Sequence, residues 1–282
     1  MTATTSGLSP ARHVLPNGAV VIVQETAFSP AVTITMAFRA GSLNEPDDLT
    51  GLAWFLARVI DRGTTTRSAD AIAEALDDRG VALRTVTNRH VIALSCTCLS
   101  EDFSDVLAVV ADVARNPTFP DDELEKRRAE TITAIRQDLD NPGIRAGEAL
   151  QALLYGPSHP YGRPAKGRVE SVERFRRADL TGYHAARFGP RALFVVIAGD
   201  VRAAEAVAQV ARAFEGWNAV PAAERDVPPV SRPSVRQQVT IDMPEKSQSD
   251  IAYGFTSISR LDPTYCHHWV MNNILGQFGL GG

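Results

Sequence analysis

Lysine is nearly missing from this chain: Lys126, Lys166 and Lys246 are the three in 282 residues. Arginine supplies the rest of Lys+Arg 29, against Asp+Glu 33, for a net charge of -4. Phosphate binding needs a strong local cationic excess, so this balance excludes nucleic acid as the expected partner. The arginine bias itself reads as genome composition. No apolar run approaches the roughly 18 residues that a membrane span requires. Residues 1–15 have neither the charged start nor the apolar stretch of a secretory signal. Cysteine is scarce as well: Cys96, Cys98 and Cys266 form no C-x-x-C pair and no disulfide framework. A reducing, cytoplasmic compartment is the expectation, or a periplasmic one if a leader has been removed ahead of residue 1. Cys96 and Cys98 lie two apart in an apolar run, so they share a strand face as small hydrophobes.

Several catalytic signatures are also absent. No nucleophile elbow orders Ser, His and Asp, and no G-x-G-x-x-G follows a strand. The adjacent His267 and His268 point about 100° apart on a helix and cannot share a metal unaided. His159 and His184 read as core or surface histidines, and Glu125 and Glu130 as solvated charges on a helix face.

What is present is a regular alternation of elements. Length alone suggests about two domains. Val/Ile/Thr-rich strands are predicted at 19–24, after Asn17-Gly18, and at 31–38. A helix follows over about 50–62, where Leu52, Phe55, Leu56 and Val59 recur at i, i+3, i+4, i+7. Ser68 caps a second helix ending near Gly80. A hairpin joins 81–86 to 90–99, and a third helix spans 102–115. Pro117 and Pro120 precede a long charged helix over 121–139, and another helix reaches Tyr155. Two helices, a strand over 193–198 and a helix over 203–217 complete the unit. The Pro/Ala-rich stretch from 218 to 233 reads as a linker. Strands are predicted beyond it at 237–243 and 250–255, then a helix to about 275. Residues 251–271 repeat the order of 34–56, strand, bend, helix. The chain reads as an N-terminal fragment, since its second half stops after a helix with no following strands.

The segment Gly41-Ser42, Glu45, Gly51-Leu52-Ala53-Trp54-Phe55-Leu56-Ala57-Arg58, Gly63-Thr64 resembles the pitrilysin / insulinase / mitochondrial processing peptidase family. There, a similar bend leads into a helix carrying the inverted zinc motif H-x-x-E-H. The charged helix ending in Asp140-Asn141-Pro142, the His159-Pro160-Tyr161-Gly162 loop and the strand Val195-Val196-Ile197-Ala198-Gly199-Asp200 agree in order. So do Pro244-Glu245-Lys246-Ser247-Gln248 and Asn273-Ile274-Leu275-Gly276. Together with the element order, the resemblance implies an α+β, two-layer fold with a mixed, largely antiparallel sheet and helices on one face. It implies tandem homologous units: a first domain over 1–220, a linker over 221–233, and the truncated start of a second over 234–282.

In the motif, two histidines one turn apart reach one zinc ion, and the glutamate between them is the general base. The resemblance puts Trp54 and Arg58 at the histidine positions and Ala57 at the base. The distal ligand falls at Ala134, a register that agrees with the one anchored on Asn141-Pro142. Trp offers no lone pair, Arg is a permanent cation, and Ala has no functional atom. No zinc is therefore expected here, only in a partner subunit.

The resemblance supplies a precedent: heterodimers in which one subunit keeps zinc and the other helps enclose the peptide. In some bacterial pairs the inactive subunit adds an arginine and a tyrosine, whose positions would lie beyond Gly282. The expected function is thus a non-catalytic peptidase-like subunit with a zinc-bearing homologous partner and a peptide substrate. The alternative is a stand-alone pseudo-peptidase acting as a peptide-binding or scaffold protein. Candidate substrate-binding positions are Gly41 and Ser42, with the strand before them as an edge for peptide addition. Gly276 and Gly279 are two more, in a substrate-handling loop. A plain turn explains Gly41 equally well, and a helix-ending glycine explains Gly276. Trp54 and Arg58 are expected to pack on each other.

Overall fold

The computed structural model describes residues 8–223, 225–230 and 235–277. Its centre is one six-stranded sheet. In chain order the strands are β1 (Ala11–Val14), β2 (Val20–Glu25), β3 (Ala31–Phe38), β4 (Arg84–Thr87), β5 (Ile92–Leu99) and β6 (Leu193–Gly199). They lie side by side as β1-β2-β6-β3-β5-β4. β2 and β6 pair in parallel, and every other neighbour is antiparallel.

Period-2 patterning fixes which face is covered. On β3, Val32, Ile34, Met36 and Phe38 are fully buried, while Thr33 and Thr35 alternate with them on the opposite face. Those threonines bond across to β5, Thr33 to Thr97 at 2.9 Å and Thr35 to Ser95 at 2.9 Å. Cys96 and Cys98 are free and buried on the core face, as their spacing predicts.

The helices are α1 (Leu52–Val59), α2 (Ala69–Asp77), α3 (Phe103–Arg115), α4 (Asp121–Leu139), α5 (Pro142–Tyr155), α6 (Val169–Val172), α7 (Arg177–Arg187), α8 (Ala203–Ala213) and α9 (Tyr265–Asn272). Their apolar faces join the buried strand face in one core. Ser68 caps where it was read, and Asn141, read as the stop of the charged helix, also starts the next one. Ser68 accepts the Ala71 N–H at 3.1 Å to cap α2, and Asn141 accepts the Ile144 N–H at 3.1 Å to cap α5. None of the described helices is long and apolar enough to cross a membrane.

Three expectations are corrected. β1 was not foreseen; its one-sided pairing with β2 makes an ordered strand of a polar, Ser/Ala-rich start. α1 is shorter than 50–62, because Gly51 at φ +95° sets its beginning and its last regular turn ends at Val59. The strands at 237–243 and 250–255 do not form. A β-prone segment becomes a strand only by pairing, and these run extended and unpaired, with Ile251 88% and Phe255 81% exposed. Gly254 passes Leu150 and Leu154 of α5, and Lys246, between the two segments, pairs with Asp140 at the end of α4 at 2.9 Å.

The stretch read as a linker is tied down. The Ala222 N–H donates to the Ala186 carbonyl at 2.7 Å, and Arg187 donates to the Ala223 carbonyl at 2.9 Å. Arg225 donates its backbone N–H to Asn44 Oδ1 at 3.0 Å and Nη1 to the Glu45 carbonyl at 2.7 Å. Pro228 offers its carbonyl to His159 Nε2 at 3.1 Å.

Candidate functional site

Trp54, Ala57 and Arg58 share α1, and α1 packs against α4, which carries Ala134. The structure therefore brings the four positions to one interhelical seam. Ala57 is buried, Ala134 and Trp54 are half-buried, and Arg58 is exposed. The Arg58 guanidinium lies 5.5 Å from the Trp54 ring centre, the packing expected one helical turn apart. Its other partner is Glu130 on α4, one turn before Ala134, at 3.7 Å.

Glu130 also takes Arg127 on both oxygens at 2.7 Å. The Arg127 hydrogen bond, with Arg58 and Arg62 nearby, holds its carboxyl below the usual carboxylate range. Glu130 is an exposed helix-face charge, as read, that also lies within ion-pair distance of Arg58 on α1. Asp61, just past α1, goes the other way; burial raises its pKa despite Arg62 at 3.1 Å. The donor set at this seam does not fit a zinc ion: an indole, a guanidinium and two methyl groups supply no ligand. Among the described residues, no group of three or more His, Cys, Asp or Glu is placed to hold a metal.

The bend before α1 is held by backbone. A Cβ on Gly41 would sit 2.4 Å from the His90 nitrogen and 2.5 Å from the Asn88 oxygen, so only glycine fits. The N–H groups of Gly41, Ser42 and Leu43 donate to the carbonyls of His90, Asn88 and Arg89 at 3.0, 3.1 and 2.8 Å. Gly41 and Ser42 therefore have no free N–H for a peptide. The strand before them is no edge either: β3 lies between β5 and β6, paired along its length with both. The free edge beside α1 is β4, which pairs only with β5 among the described residues. Gly276 interrupts a π turn at φ 141°, and Gly279 lies outside the described residues.

Residues that local reading passed over organise this end of the molecule. Glu45 is buried, and its carboxylate accepts the Gly51 N–H at 3.0 Å and the Ala53 N–H at 2.8 Å, so it closes the start of α1. Burial pushes its pKa up to about 7, against those two N–H groups and the charges of Arg89 and Arg163. Arg89, in the β4–β5 turn, donates to the carbonyls of Pro160 at 2.9 Å and Arg163 at 2.8 Å, clamping the His159-Pro160-Tyr161-Gly162 loop. His159 Nδ1 accepts the Tyr161 N–H at 3.0 Å, so Nε2 carries the proton given to Pro228. His184 is half-buried with Nε2 on the Ala114 carbonyl at 2.9 Å, and the desolvation of its ring lowers its pKa. Both histidines are structural, as read.

Comparison with known proteins gives a consistent set. Residues 20–155 match the model described as "Insulinase (Peptidase family M16)", and residues 174–280 match "Peptidase M16 inactive domain". An uncharacterized zinc protease of Mycobacterium leprae is 31% identical over 203 residues, 72% of this chain and 45% of that protein. One of Mycobacterium tuberculosis is 33% identical over 199 residues, 70% and 44%. The chain spans about half the length of the curated relatives it matches. A solved peptidase M16 inactive domain from Pseudomonas fluorescens superposes with a TM-score of 0.75 at 23% identity, covering 80% of this chain and 55% of that one. The first half of the periplasmic protease PqqL from Escherichia coli does so with a TM-score of 0.71 at 19% identity, over 79% and 49%. These two likenesses show the fold.

Proposed function

This chain belongs to the insulinase peptidases of family M16, and from that premise we propose that it is a non-catalytic, peptide-binding portion of an M16-type assembly. The observation that carries the reading is the α1–α4 seam. Where the family sets two ligands, a base and a third ligand, this chain sets Trp54, Arg58, Ala57 and Ala134. Arg58 places a permanent positive charge there, already paired with Glu130 and stacked on Trp54. A cation at that point repels Zn²⁺, and no side chain remains to activate water. Hydrolysis is accordingly supplied by a homologous subunit that keeps H-x-x-E-H.

What this chain contributes is shape and backbone. A peptide in extended form adds to a free sheet edge by main-chain hydrogen bonds, which tolerate many sequences. β4 is that edge, and it packs against α1 next to the seam. The role first assigned to the strand before Gly41 passes to β4.

Affinity capture of the full-length chain from its native lysate tests the reading. We expect a stoichiometric partner bearing H-x-x-E-H, zinc in that partner, and peptidase activity only in the mixture. Recovery of the chain alone, or with non-peptidase proteins, overturns the subunit reading in favour of a scaffold. Zinc that stays with the purified chain through dialysis overturns both.

A further inference from the structure

β4 carries its own chemical bias. Its register sets Arg84 opposite Ser95 and Val86 opposite Ala93, while Thr85 and Thr87 face Leu94 and Ile92. Leu94 and Ile92 belong to the buried layer, so Thr85 and Thr87 point to the helices and Arg84 and Val86 lie on the uncovered face. Arg84 is exposed, and its guanidinium makes no ion pair among the described residues. Val86 is 58% exposed and offers an apolar surface beside Arg84. Arg89, in the turn that follows β4, is engaged by the carbonyls of Pro160 and Arg163.

We infer that the β4 edge selects peptides with a carboxylate two residues from a branched apolar residue, the first opposite Arg84 and the second opposite Val86. This rests on the peptide-binding reading above. Residues opposite one another on paired strands are in contact, and alternate residues share a face. An added strand therefore meets Arg84 and Val86 at positions two apart. Opposite charges gain across such a pair and like charges lose. The residue between points toward the half-buried threonines, where a small or hydroxyl side chain fits.

The test uses short fluorescein-labelled peptides of Thr and Ser with Glu-Thr-Val-Thr-Glu at the centre, a pattern that reads alike in either strand direction. Sister peptides carry Lys or Ala in place of both Glu residues. Anisotropy titrations with the full chain at low salt should give the Glu peptide about fivefold tighter binding than the Lys peptide. Arg84→Glu should reverse that order, and high salt should erase it. Arg84 is exposed, so the variant folds, and circular dichroism verifies it. Equal binding of all three peptides overturns the selectivity and leaves β4 as a general peptide edge. Binding of none overturns the edge reading and the selectivity together.

Discussion

At the scale of single residues, Glu45 belongs to the segment that carries the resemblance, but its burial is visible only in the structure. Its folded-state pKa, near 7, lies above the ordinary 4.5 of a free glutamate. The folded protein therefore holds a proton that the unfolded chain releases. That contribution is whole below about pH 4.5 and is lost as pH rises through about 7, amounting to at most about 3 kcal/mol. Urea midpoints at pH 5 and pH 8 should show wild type losing stability relative to the non-titrating Glu45→Gln as pH rises. A difference that does not change with pH would remove Glu45 from the titration. Gly41 makes a simpler case. Gly41→Ala forces a methyl group to within 2.4 Å of backbone and should cost more than about 2 kcal/mol in thermal or urea unfolding. Arg58→Ala, in contrast, gives up an exposed ion pair and an exposed stack, so about 0.5–1 kcal/mol is expected. These outcomes separate residues that shape the bend from a residue that fills the seam.

Among the elements, the strap over residues 219–228 behaves unlike a linker. Its composition, Pro, Ala and charge, gives no apolar stripe to bury, so sequence reading has nothing to attach it with. What attaches it is backbone: carbonyls and N–H groups of Ala222, Ala223, Arg225 and Pro228 meet α7, the bend at Asn44–Glu45 and His159. Arg225→Ala removes the Nη1 donor and should speed proteolytic cleavage within the strap several-fold with little change in the melting temperature. An unchanged cleavage rate would mean that the remaining backbone bonds suffice. The opposite behaviour belongs to residues 237–255. Their alternating apolar residues promise strands, yet among the described residues they join no ladder and should exchange amide hydrogens fast, while the interior strand β3 exchanges slowly. Hydrogen exchange on the full chain reads both in one experiment. The helices sit between these extremes. α4 and α3 occupy the predicted residues or nearly so, because their caps and breakers, Pro117, Pro120 and Asn141-Pro142, act locally.

For the whole molecule, one sheet backed by one helical layer leaves the uncovered sheet face and two edges, β1 and β4, and β4 is the one beside α1. If the seam between α1 and α4 is a former zinc site, rebuilding its ligands should restore metal binding. The variant Trp54→His, Ala57→Glu, Arg58→His, Ala134→Glu is expected to keep about one zinc per chain after dialysis, measured by atomic emission. Failure to hold zinc in a folded variant would break the assignment of these four positions.

The sequence by itself determined the class of fold, most of the elements and the face of each strand that is buried; it also carries the residue types behind the proposal for Trp54, Ala57, Arg58 and Ala134. All of these depend on residue type and on spacing within a few positions. Tertiary structure alone decided that β3 is interior and β4 the edge, since strand order depends on pairings between residues far apart in the chain. It alone gave Arg58 its partner Glu130, made a strap of the linker and buried Glu45. In each case the deciding contact joins segments that no local pattern relates.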